Sequence, residues 1–451
     1  MSKTLPTDFI QTSKLMLKTK IAKLNLKHCV IWAANSMAKI ENDKLDMKQG
    51  QWLPWNILTF IKYSAKFARA KKYGEKADVF KAYAYFHNHL RNKPDNLLET
   101  TGGVSKLSLR LAHQQFPFHD RITDLKYKIV RQHLFFSQFE TEIIKATGIS
   151  SLNFLKLCFV FFAHIEKGTS FFRLSDFTYL PEDMKDDAGK FLSYASTDLY
   201  GLAAVCSTLE LDEAELYGFG LFTRHPFIQI DDYYILISST YFCAFFSYGI
   251  YDALKSTKGG EFGTIFENYL SSELKRHFSN AILEKEIKKI PGSGKTCDAV
   301  LETANYIAMF EFKATELPKQ IQQDPSNSFE LMKKTLIKAI AQGYSTAKLL
   351  GSDNSPLKEA VKTKKTLLFI VSYKETFLGT AEREWDSFKP VLKSEYNIDS
   401  FSYLEPRDIF FISIDDFDWI MTLAGKIDDL IDMAIDRFAK NDAFTLSLIH
   451  I

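Results

Sequence analysis

The sequence predicts a mixed α and β chain: a mostly helical accessory region over residues 1–255 and, over 256–451, helices combined with a small sheet. Three observations predict this. The first part repeats apolar residues at helical spacing. Short runs of aromatic and β-branched residues cluster after residue 280. At 451 residues the chain is also too long for one ordinary domain. Hydrophobic residues make up 46% and charged residues 25%, a globular composition that excludes a disordered or fibrous chain.

Residues 1–93 hold sixteen Lys and two Arg against six acidic residues, a surplus of twelve positive charges that leaves the remainder at −10. A block of that sign fits a nucleic-acid contact surface. Within it residues 60–72 read as a helix carrying Lys62, Lys66 and Arg69 at i, i+4 and i+7, followed by Lys72. These four are the candidate phosphate contacts, set against an ordinary solvated helix face. His87-Asn88-His89 lies in an aromatic helix pattern, and its histidines read as structural. Helical spacing continues over 126–147, 151–166 and 188–209, with 181–187 a polar loop. Phe227-Ile-Gln-Ile and Tyr233-Tyr-Ile-Leu-Ile flank Asp231-Asp232 as a β-hairpin. With a helix over 241–254, that hairpin is expected to dock on the second part, and Gly259-Gly260 to form a hinge.

The chemistry concentrates in residues 296–313. Val300, Leu301, Tyr306, Ile307 and Phe310 form strands around an Ala304-Asn305 turn. A two-residue turn pairs Thr303 with Tyr306 and so sets Asp298 opposite Glu311. Side chains alternate along a strand, so Lys313 shares the face of Glu311, while Phe310 and Phe312 face a core. Two carboxylates and an ammonium thus meet on one face. Paired carboxylates repel unless a cation lies between them, and Mg2+ is commonly held by one or two carboxylates.

Asp298 followed by Glu311-Phe312-Lys313 resembles the PD-(D/E)XK nuclease superfamily, with Cys297 where the family name has proline. The flanks extend the resemblance over roughly residues 258–420: a helix over 263–277 carrying Glu267, a strand over 281–287, a helix over 329–350, a strand over 366–372 and another over 408–414. The resemblance implies a restriction-endonuclease-like core of helix, three strands, helix and strand. It implies hydrolysis of nucleic-acid phosphodiesters, DNA favoured over RNA, with Mg2+ or Mn2+ as cofactor. Asp298, Glu311 and the Phe312 carbonyl become metal ligands, Glu267 an additional acidic group and Lys313 the residue that orients or activates the attacking water. Gln342 corresponds to a polar group that several such families aim at the site. The family context adds bacterial restriction or anti-phage defence, a partner protein in a defence complex, and a homodimer as one possible assembly. The rival reading is a DNA-binding or assembly subunit that keeps the fold without the chemistry.

Pro291-Gly-Ser-Gly-Lys-Thr296 is not a P-loop, because Lys289 stands where the first glycine belongs and a strand follows instead of a helix. Lys295, just before Asp298, remains a candidate phosphate contact. Five scattered cysteines without CxxC spacing predict neither a disulfide framework nor a zinc site, which suits a cytoplasmic chain. No apolar run reaches the ~18 residues of a membrane span, and no secretory leader is visible, so no membrane partner is expected.

Overall fold

Apolar periodicity in the first part becomes a set of packed helices. The computed structural model describes residues 7–42, 53–70, 76–91, 118, 125–209, 220–292, 294–314, 316, 333–398 and 403–439, and has a mixed α and β architecture. The described residues fall into two units, one ending at Thr257 and one starting at Lys258.

The first unit begins with α1 (Thr7–Ala22), α2 (Leu26–Glu41), α3 (Pro54–Phe67) and α4 (Lys76–Arg91). Asn25 starts α2 by accepting the Lys27 amide at 2.9 Å, and Pro54 starts α3, where a missing N–H costs nothing. Trp32 packs on Phe60 and Tyr83, with ring centroids at 5.7 and 4.8 Å. Next come α5 (Leu125–Phe136), α6 (Glu140–Thr147) and α7 (Ser151–Glu166). Then follow β1 (Phe171–Phe172), α8 (Glu182–Ala195), β2 (Ser196–Asp198), α9 (Leu199–Thr208) and α10 (Gly220–Arg224).

The stretch read as a polar loop over 181–187 is mostly the first turn of α8. Acidic Glu182 and Asp183 suit a helix N-terminus electrostatically. The expected helix over 188–209 is interrupted by β2, whose edge pairing with the sheet replaces helical bonds.

The hairpin forms as expected, with β3 (Phe227–Ile230) and β4 (Tyr233–Leu236) joined through Asp231 at φ 55°. It completes a four-stranded sheet in the order β1-β4-β3-β2. Its Ile228, Ile230 and Ile235 enter the core built by α1–α4. That face of the hairpin thus lies in the core of its own unit. Among the described residues no single helix is long and apolar enough to cross a membrane, although α5–α6 and α7, bent by 70°, pass together on length and composition.

A 39-residue helix, α11 (Ser239–His277), crosses the unit boundary. Glu41 caps its start, accepting from Ser238 Oγ at 2.6 Å and the Ser239 amide at 2.9 Å. The expected hinge at Gly259-Gly260 is absent. A helical glycine costs only about 1 kcal/mol relative to alanine, less than breaking a long helix.

The second unit continues with β5 (Ile282–Leu283), a short α12 (Glu284–Ile287), β6 (Ala299–Glu302) and β7 (Tyr306–Lys313). The strand expected over 281–287 is shortened because its second half turns into α12. Next come α13 (Lys338–Leu350), α14 (Lys358–Thr363), β8 (Lys365–Ser372), α15 (Trp385–Tyr396), β9 (Ile409–Ser413), α16 (Ile414–Thr422) and α17 (Ile427–Ala439). A π-helical turn, Lys333–Ile337, leads into α13; residues 329–332 of the expected helix lie outside the described residues. The sheet order is β5-β6-β7-β8-β9, antiparallel up to β7 and parallel from β7 to β9.

The two faces of this sheet are covered differently. Phe310 and Phe312 meet Phe417 of α16, with ring centroids 6.1 Å away in both cases. On the other face α13 lies close to β8, because a Cβ on Gly343 would come within 2.4 Å of Leu368. Leu368 pairs with Met309, which places α13 over the face shared by Met309, Glu311 and Lys313. Within α17, Ile427 and Ile431 are buried and Leu430 is half-buried.

Candidate active site

The hairpin β6–β7 has the register its turn dictates. Ala299 pairs with Phe310, Val300 with Met309 and Glu302 with Ile307, and the Thr303 amide reaches Tyr306 O at 2.9 Å. The same register sets Asp298 opposite Glu311. The turn is also held from α17, where Asp428 accepts from Thr303 Oγ1 at 2.7 Å and the Asn305 amide at 3.2 Å.

At Asp298 the regular ladder ends. Its amide still donates to Phe310 O at 3.0 Å, but its carbonyl turns to the Glu284 amide at 2.8 Å. The Phe312 amide is met instead by the Asp298 carboxylate, Oδ2 at 2.6 Å. A side chain thus takes a ladder position that a backbone carbonyl would fill. This fixes the carboxylate at the strand end.

Glu311 is fully buried. Its Oε1 accepts from Lys313 Nζ, while Oε2 is buried without a hydrogen-bond partner. A buried carboxylate oxygen with nothing to bind is costly, and such exceptions in a native fold call for an explanation. Thr296 Oγ1 and Gln342 Oε1 are orphaned in the same neighbourhood. Burial, and then the Asp298 charge, push the Glu311 carboxyl up to about 8, with Lys313 opposing. Burial likewise pushes Asp298 up to about 6 against the Phe312 amide and Lys313, with Glu267 and Glu284 adding to the rise. Burial disfavours the Lys313 ammonium, but Glu311, Asp298 and Glu267 outweigh it and hold its pKa above the usual lysine value.

Glu267 on α11 is solvent-exposed as a residue. Partial desolvation of its carboxyl still raises its pKa, with Lys313 opposing and Glu284 reinforcing. The structure therefore brings Glu267, Asp298, Glu311 and Lys313 into one electrostatic neighbourhood. Gln342 joins it through Thr296, donating from Nε2 to the Thr296 carbonyl at 3.2 Å. Phe312 contributes its amide to Asp298. Lys295 is exposed close by, as are Lys285, Lys288 and Lys289 on the β5–β6 connection.

Glu284 was missed in the sequence. It continues the β5–β6 register opposite Asp298, so Glu284, Asp298 and Glu311 stand in one row across three chain segments. Its carboxylate pairs with Lys288 at 2.6 Å. The long connection from Leu283 to Ala299 does not fix a register as a two-residue turn does, so no local signal pointed to it.

The basic helix requires correction. The helix expected over 60–72 ends at Phe67, and Lys62 is buried at 1% exposure, so it has no open phosphate-facing side. Neighbouring α2 and α9 both pack along α3. Lys66 is half-buried and donates to the Leu209 carbonyl. Arg69 lies beyond the helix, exposed, with its guanidinium on the Ala68 and Lys66 carbonyls at 2.8 and 2.6 Å. Lys72 lies outside the described residues. Lys62, Lys66 and Arg69 do not form one helix face. His87 meets the Asn56 side chain at 3.0 Å, consistent with a structural role.

Among the described residues no three His, Cys, Asp or Glu side chains form a ready metal cage. Two carboxylates with one free, buried oxygen fit a Mg2+-type ion, which retains waters and needs few protein ligands. Compared with known protein families, curated proteins and solved structures, the chain matches none.

Proposed function

We propose that the second unit is a divalent-metal-dependent nuclease of the PD-(D/E)XK type that hydrolyses nucleic-acid phosphodiesters, with DNA as the favoured substrate. The observation that carries this reading is the fully buried Glu311, facing Asp298, ion-paired with Lys313 and left with one unpartnered oxygen. A structural ion pair has no use for that second oxygen. The order α11, β5, β6, β7, α13 and β8, with short α12 and α14 interposed, supports the reading, because it contains the helix, three strands, helix and strand that the resemblance implies.

Asp298, Glu311 and the Phe312 carbonyl would hold Mg2+ or Mn2+, with Glu267 reaching the ion directly or through water. A bound divalent cation supplies Lewis acidity toward a phosphate oxygen. Lys313, oriented by Glu311, donates to the phosphate as charge builds on it and positions the attacking water. Exposed Lys295 offers a contact for the neighbouring backbone phosphate. The low-dielectric setting of Glu311 strengthens each of these charge interactions.

The test is a digestion panel of linear, circular and single-stranded DNA and of RNA, run with Mg2+, Mn2+, Ca2+ or EDTA. Cleavage is expected with Mg2+ or Mn2+ and not with EDTA or in the Glu311→Gln variant. Undiminished cleavage in EDTA removes the mechanism. Binding without cleavage under every condition leaves a nucleic-acid-binding module in its place.

A further inference from the structure

Three features of α13 converge on the two residues that precede Asp298. Thr346 is fully buried. Its Oγ1 accepts the Cys297 amide at 2.8 Å and donates to the Gln342 carbonyl at 2.9 Å. Gln342, one turn earlier, donates to the Thr296 carbonyl at 3.2 Å. Gly343 lets the helix sit close enough on β8 for both bonds to form. The β6–β7 ladder does not hold Thr296 and Cys297; α13 does.

We propose that Thr346 is a positioning residue of the metal site: by holding the Cys297 amide it ties the approach to β6 to α13 and so fixes where the Asp298 carboxylate stands beside Glu311. This rests on the metal-site reading above and deepens it. Without the Thr346 hydroxyl the Cys297 amide loses its acceptor, and the cheapest repair is for the segment to shift. A shift of the segment moves Asp298, the residue directly after Cys297. Asp298 is bonded through its amide to Phe310 O, through its carbonyl to the Glu284 amide and through its carboxylate to the Phe312 amide, so a displacement is felt along both flanking segments. Outer residues that orient metal ligands typically change affinity by about ten- to a hundredfold when replaced.

The test is Mn2+ titration of the full chain without substrate, followed calorimetrically, for wild type, Thr346→Val and Thr346→Ser, with thermal melting measured alongside. Valine keeps the shape and removes the acceptor; serine keeps the acceptor. The expectation is Mn2+ affinity weakened about tenfold or more by valine and restored to within about twofold by serine. A merely structural threonine would lower the melting temperature without moving the Mn2+ affinity measured well below it, and that result overturns the proposal. If the valine variant does not fold, Thr346→Ala removes the same hydroxyl, and weaker Mn2+ binding restored by serine is expected there too. A wild-type chain that binds no Mn2+ removes the metal reading and, with it, this role. That outcome is distinct from a wild type that binds Mn2+ and a valine variant that binds it equally well.

Discussion

Replacing Glu311 with glutamine should stabilise the metal-free protein while abolishing its chemistry. The Glu311 pKa rises from 4.5 to about 8 on folding, chiefly through burial. Between those values the native chain keeps a proton that the unfolded chain has lost. It therefore binds more protons than the unfolded chain, and stability falls as pH rises through this window. Each tenfold change in proton affinity corresponds to about 1.4 kcal/mol, so the full rise is worth about 5 kcal/mol. Glutamine fills the same space and cannot ionise. The stability difference, variant minus wild type, should be near zero at pH 5 and grow to about 5 kcal/mol by pH 8.5. Urea unfolding in EDTA at half-unit pH steps measures it. Mn2+ at pH 8 should recover stability in the wild type and not in the variant, because a ligand that binds only the native state stabilises it. A difference that stays flat across pH, or a variant less stable at pH 8.5 than at pH 5 relative to wild type, would refute the account of Glu311 as a strained, pre-formed ligand.

Further outcomes follow from the same geometry. Lys313→Ala should bind Mn2+ nearly as the wild type does and cleave about a hundredfold or more slowly, the scale of losing one transition-state donor; single-turnover rates decide it. Gly343→Ala forces a Cβ into Leu368 and should cost about 1–3 kcal/mol, with weaker Mn2+ binding as α13 lifts from the sheet. Lys62→Glu should destabilise the first unit by about 2 kcal/mol or more, since a new charge is buried there, whereas Arg69→Glu on the surface should leave its melting unchanged. If the salt dependence of DNA binding changes with Lys62→Glu while melting does not, the burial of Lys62 is not what governs it.

The sequence by itself determined the features that short-range geometry controls. A two-residue turn fixes the parity of a hairpin, so the Asp298–Glu311 pairing and the shared face of Lys313 were legible without any tertiary knowledge. The apolar runs that became β8 and β9, and the hairpin around Asp231, were legible for the same reason. Only the tertiary structure decided which of those faces meet water and which distant residues complete the site. Lys62 has the spacing of an exposed helix face, yet it is buried, and nothing in a helix's own period reports its neighbours. Glycines at 259 and 260 suggested a hinge, but the helix runs through them because continuing costs less than stopping. Glu284 reached Asp298 through a connection whose register only the folded sheet sets. Thr346, forty-nine residues beyond Cys297, supplies a hydrogen bond that no local pattern encodes. Carboxylates on adjacent strands are placed by the pleat, whereas the burial that makes Glu311 reluctant to ionise comes from the way α13 closes over the sheet.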